Sequence, residues 1–120
     1  MSDTRALDTQ ALDTQAKGPV AAYVAGANAQ DPEAVVACFN EGAVVRDEGR
    51  ERQGVAAIRE WAEEVSRKYR PTVEVLDVAE TDGRTVVAGR VSGDFPGSPI
   101  DLRYAFALAG GKIDRLEISA

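Results

Sequence analysis

Ala43-Val44-Val45-Arg46-Asp47 and, beginning seven residues after that aspartate, Gly54-Val55-Ala56-Ala57-Ile58-Arg59-Glu60-Trp61 decide how this chain reads. The first run is a short apolar strand that ends on a carboxylate. The second opens a helix whose Val55, Ile58, Trp61, Ala62, Val65 and Tyr69 recur on one face, and Pro71 ends it. Glu48 to Gln53 between them reads as a charged loop. Asp47 shares strand parity with Val45, so it points toward the side that carries core residues. Two readings of it stand here. One is a strand-end acid solvated within Arg46-Asp47-Glu48-Gly49-Arg50-Glu51-Arg52. The other is an acid turned toward an apolar interior. In the second case burial raises its pKa and makes it a useful base near neutral pH. The chain has no histidine, so proton transfer would fall to a carboxylate, tyrosine, lysine or the one cysteine.

Upstream, Pro19 opens a helix in which Val20, Tyr23, Val24 and Ala27 share a face. Asp31-Pro32-Glu33 restarts the chain as N-cap, first helical residue and first-turn acid. That spacing predicts a short helix from Pro32 to about Phe39, stopped by Asn40-Glu41-Gly42. Downstream, everything is strand. Thr72 to Glu80 turns at Thr81-Asp82-Gly83-Arg84, where Asp-Gly signals a hairpin. Thr85 to Phe95 follows, then a turn through Pro96-Gly97-Ser98-Pro99. Ile100, Leu102, Tyr104, Phe106 and Leu108 alternate with Asp101, Arg103, Ala105 and Ala107. Gly110-Gly111 turns into Lys112 to Ser119, with Leu116 and Ile118 on one face. Helices first and a meander later predict an α+β domain, three N-terminal helices packed on one face of a curved, mostly antiparallel sheet. Such a sheet closing on a long helix makes a cone, and an unfilled cone is a pocket. Residues 18–120 read as that single domain. Residues 1–17 read as a flexible polar leader, frayed or partly helical, because the five-residue period of the tandem Ala-Leu-Asp-Thr-Gln repeat matches neither helix nor strand for long.

Composition narrows the function. A net charge of −6 and a pI near 4.6 oppose nucleic acid and an anionic membrane surface. A lone Cys38 cannot form an intrachain disulfide, and no run approaches the roughly 20 apolar residues that span a bilayer. A cytoplasmic protein is the expectation. No metal or cofactor is expected either, since no His or second Cys is present and no glycine-rich phosphate loop occurs.

The run Tyr23-Val24-Ala25, Asn28-Ala29, Asp31, Val35-Val36-Ala37, Phe39, Ala43-Val44-Val45, Asp47 and Gly54 to Glu60 resembles the nuclear transport factor 2-like superfamily. That group includes ketosteroid isomerases and SnoaL-like polyketide cyclases, and the resemblance covers about residues 18–119. It implies a cone and a hydrophobic pocket. It further implies that Asp47 is the general base and that Tyr23 donates a hydrogen bond to an enolate oxygen. The protonated acid that isomerases add on a late strand has no counterpart: Leu102 stands near that position, or Asp101 or Arg103 with a shift. Ala62 replaces a supporting tyrosine. The expected activity is carboxylate-mediated proton transfer on a small apolar, carbonyl-containing molecule, by an isomerase or a polyketide cyclase. A non-catalytic ligand-binding or dimerisation module is the alternative. Trp61, Phe39, Val65, Phe95, Leu102, Tyr104, Phe106, Leu116 and Ile118 are the expected pocket wall. The outer sheet face, with Ala105 and Ala107 between Asp101 and Arg103, suits a homodimer.

Overall fold

In the computed structural model, which describes residues 16–120, Pro19 sits in the first turn of α1 (Gly18–Asn28), whose Val20, Tyr23 and Gly26 are buried. Asp31 caps α2 (Pro32–Val36) by accepting a hydrogen bond from the Ala34 N–H at 3.2 Å. Helix α2 is shorter than the spacing predicts. Phe39, Asn40, Glu41 and Gly42 belong instead to β1 (Phe39–Asp47), which joins the sheet irregularly between Phe39 and Val44.

The segment Glu48 to Gln53, read above as a loop, is also corrected. It forms a hairpin, with β2 (Arg50–Gln53) paired antiparallel to β1. Glu48 (φ 55°) and Gly49 (φ 75°) both take positive φ, the two-residue turn whose twist matches flanking strands. Charge hides this strand: it is an edge of the sheet, and edge strands carry charged side chains. The long helix α3 (Val55–Tyr69) therefore follows two strands rather than standing with the other helices at the N-terminus. It buries Ile58, Trp61 and Ala62 and ends with Arg70 left-handed (φ 45°) before Pro71.

The remaining strands are β3 (Thr72–Thr81), β4 (Arg84–Ser92), β5 (Ile100–Ala109) and β6 (Lys112–Ser119). The six-stranded sheet runs β2-β1-β6-β5-β4-β3. Every pair is antiparallel except β1 with β6, so the sheet is mixed. Strand β4 stops three residues before Phe95, because Asp94 N–H leaves the ladder to donate to the Tyr69 carbonyl at 2.7 Å. The polar leader expected over 1–17 lies outside the described residues except for Ala16 and Lys17.

The three described helices cover one face of the curved sheet. Side chains pin them there. Asn28 Nδ2 donates to the Val73 carbonyl (3.0 Å) while its Oδ1 accepts from Val73 N–H (2.7 Å), standing in for a strand partner at the β3 edge. Gln30 Nε2 donates to the Pro71 carbonyl, and Ser66 Oγ donates to Gln30 Oε1, both at 2.7 Å. Among the described residues no helix is long and apolar enough to cross a membrane.

Candidate active site

Strand β1 sends Val45 fully into the core, and Asp47, two residues on, is half-buried on the same side. Trp61 on α3 donates its indole Nε1–H to Asp47 Oδ2 at 3.0 Å. Burial is the largest influence on this carboxyl and raises its pKa above the usual aspartate value. The Trp61 hydrogen bond opposes that rise, Glu48 adds to it, and Arg52 and a backbone hydrogen bond at Glu48 oppose it. Two arginines of the same hairpin are paired with other acids: Arg52 with Glu64 (3.9 Å) and Arg46 with Glu51 (3.5 Å). Asp47 is thus a carboxylate held by the Trp61 indole and the Glu48 backbone, with its proton affinity raised and, among the described residues, no arginine in salt-bridge contact with it.

Tyr23 comes from α1 and Tyr104 from β5, and both are almost wholly buried. Their ring centroids lie 6.3 Å apart. Phe106 sits 5.5 Å from Tyr23 and stacks on Tyr104 at 6.4 Å, and Phe39 meets the Tyr23 ring edge-on at 6.1 Å. Burial first, and then the negative charge of Asp47 and neighbouring groups, pushes both phenols above their usual pKa. Both therefore stay protonated, and both are hydrogen-bond donors. Among the described residues neither hydroxyl has a hydrogen-bond partner.

These four side chains border a cavity of about 410 Å³, within the range of small-molecule sites. Val65, Phe95, Leu102 and Ile118 line it too, as does Tyr69, which packs edge-on against Phe95 at 6.0 Å. Phe39, Phe106 and Leu116, expected above as wall, are not on its surface. All three are buried in the core instead, with the Tyr23 ring packed on Phe39 and Phe106 and the Tyr104 ring on Phe106. Among the described residues no Lys or Arg lines the cavity, whereas Asp31, Asp47 and Glu48 do. Cys38 is buried elsewhere and bonds through its Sγ to the Ala34 carbonyl. Among the described residues no cluster of His, Cys, Asp or Glu could hold a metal ion.

Two features escape sequence reading. The Trp61–Asp47 bond joins a helix to a strand and leaves no periodic signal. Tyr104 was legible as pocket wall from its inward parity on β5, but nothing in the spacing marks its hydroxyl as a polar group beside that of Tyr23.

The model of the SnoaL-like domain matches residues 20–116. The chain belongs to this family. A crystal structure from Sinorhizobium meliloti, provisionally described as a polyketide cyclase, is 37% identical to this SnoaL-like domain. It superposes with a TM-score of 0.80 over 84% of this chain and 93% of that one. The epoxide hydrolase/cyclase-like enzyme SalBIII, which acts in pyran ring formation in the polyether salinomycin, is 26% identical (TM-score 0.74, 84% and 86% covered). A Pseudomonas putida structure, also provisionally described as a polyketide cyclase, is 25% identical (TM-score 0.73, 85% and 88% covered). No curated protein matches the chain. The fold is that of the nuclear transport factor 2-like superfamily, shared with a Catenulispora acidiphila protein of ketosteroid isomerase-like fold at 16% identity and a TM-score of 0.75.

Proposed function

We propose that this SnoaL-like domain catalyses proton transfer on a neutral, mainly apolar carbonyl compound, with Asp47 as general base and Tyr23 as donor to the developing enolate oxygen. The observation that carries this reading is the half-buried Asp47, fixed by Trp61 and facing an apolar cavity. Asp47 takes a proton from the carbon beside the carbonyl. The C–H electron pair moves into the enolate, whose oxygen Tyr23 hydrogen-bonds. The proton is then returned to another carbon, which isomerises the substrate, or the enolate attacks an electrophile within the same molecule, which closes a ring. The names of the relatives lean toward the second outcome. The acidic lining, with no basic residue among the described residues, selects against anionic substrates.

A thermal-shift screen of hydrophobic ketones, lactones and steroids, followed by turnover assays on the hits, tests this reading. A ligand at a hundred times its Kd adds about 2.7 kcal/mol of stability. Hits that bind and are turned over are expected. Hits that bind, with no exchange of the α-proton for solvent deuterium, would leave a binding module in place of an enzyme.

We also propose that two copies pair through the outer sheet face. Val86, Ala88, Ala105 and Ala107 are half-buried there, beside the exposed ion pair of Arg90 with Asp101 (3.0 Å) and the pair of Arg115 with Glu117 (2.8 Å). Small side chains flanked by both charge signs suit an isologous contact. Sedimentation at micromolar concentration is expected to give a dimer that Ala105→Glu converts to monomer; a monomeric unsubstituted protein would remove the idea.

A further inference from the structure

Tyr104 lies two residues beyond Leu102, on the inward face of β5, where the resemblance implies an acid that this chain lacks. Its hydroxyl is buried on the cavity and, like that of Tyr23, has no partner among the described residues. Two phenols bordering one cavity, on rings 6.3 Å apart, bring two O–H donors to the same site. The rings are braced in place. Phe106 supports both of them. Gly89 supplies the room: a Cβ there would stand 2.8 Å from Val73 Cγ1 and 3.3 Å from Tyr104 Cε1.

We propose that Tyr104 is a second donor to the substrate's carbonyl oxygen, forming with Tyr23 a two-phenol clamp that selects neutral ketones and related carbonyl compounds. This deepens the proton-transfer reading and rests on it. A carbonyl oxygen has two lone pairs and accepts two O–H bonds. Both strengthen as the oxygen gains charge, and donors fixed in advance need no reorganisation at that moment. Among the described residues no cation lines the cavity, and the two phenols are the donors there that can compensate an enolate. Charge repulsion from Asp31, Asp47 and Glu48 turns carboxylate-bearing ligands away.

The probes are 2-acetonaphthone and 2-isopropenylnaphthalene, which differ by C=O against C=CH₂. Affinities are measured on the unsubstituted protein, Tyr23→Phe, Tyr104→Phe and the double variant. Each single change is expected to weaken the ketone about tenfold, the worth of one hydrogen bond, and to leave the hydrocarbon unchanged. The double variant is expected to bind the two probes equally. Ketone affinity unchanged in Tyr104→Phe overturns the clamp, as does an equal loss of both probes, which marks a packing role. Asp47→Asn is expected to keep ketone binding. Its turnover, not its affinity, tests the base, so the two ideas fail separately. Should Tyr104→Phe not fold, 3-fluorotyrosine labelling reads the same contact in the unsubstituted sequence. The three tyrosines give three ¹⁹F signals, assigned with Tyr69→Phe and Tyr23→Phe. Those of Tyr23 and Tyr104 are expected to move with the ketone and not with the hydrocarbon; a Tyr104 signal indifferent to the ketone overturns the proposal.

Discussion

Asp47→Asn is expected to lower kcat by roughly 10²–10⁴-fold, the range for one positioned acid–base group. Asparagine has the same shape, and its carbonyl oxygen can still accept the Trp61 Nε1–H bond that Asp47 Oδ2 accepts. What it loses is basicity. Stability is expected to hold, with a pH dependence of known sign. Burial raises the folded-state pKa of Asp47 above its unfolded value. The folded protein therefore keeps this proton where the unfolded chain has lost it. The resulting stability is full at low pH and fades as pH rises through the raised pKa. The neutral variant has no such loss, so it gains on the native protein as pH rises. Activity runs the other way: kcat/KM rises with pH through that same value, then stays level into the alkaline range because both phenols titrate above their usual pKa. Trp61→Phe removes a bond that favours the carboxylate, so the acid limb moves to higher pH. An Asn variant that turns over substrate at the native rate would end the proposed chemistry.

The parts of the fold that were legible in advance are those where one physical signal dominates. The Asp31 N-cap, the Asp82-Gly83 hairpin and the apolar stripe of α3 each rest on local chemistry. The misread parts are those where the sheet overrides local preference. Asn40-Glu41-Gly42 carries every mark of a helix stop, yet these residues extend β1 because Phe39 reaches β6 at Ile113. Arg50-Glu51-Arg52-Gln53 carries no apolar alternation, since one side of β2 is an open edge. Its pairing with β1 becomes visible only when Val44 to Asp47 has been placed opposite.

The candidate site divides in the same manner. Parity with Val45 pointed Asp47 inward but left the solvated reading open, and its half-burial beneath Trp61 shows only in the packing. Nor was parity enough to divide wall from core among the aromatics. Phe39, Phe106 and Tyr104 share one inward signature. Only the packing of the rings decides that Tyr104 borders the cavity while Phe106 lies behind it. The hydrogen bond from Trp61 likewise depends on the angle at which α3 crosses β1, which no spacing encodes.

Phe106→Ala is expected to cost about 3–5 kcal/mol, the range for truncating a buried phenylalanine. Phe106 is fully buried, stacks on Tyr104 and meets Tyr23 edge-on, so the cavity left behind opens directly beneath both phenols. Denaturant unfolding should show a lower midpoint at nearly unchanged slope. The fraction that remains folded should bind 2-acetonaphthone more weakly, because the two rings lose their common support. Leu108→Ala, two residues along the same strand, is the control. Alternation alone assigns Phe106 and Leu108 to the same face and would give them similar costs. The pairing of β5 with β6 shifts between Ala107 and Leu108, and Leu108 is 43% exposed. Its truncation should stay within about 0.5 kcal/mol. Equal losses at the two positions would mean that β5 runs without that irregularity and that Leu108 packs inward as Phe106 does.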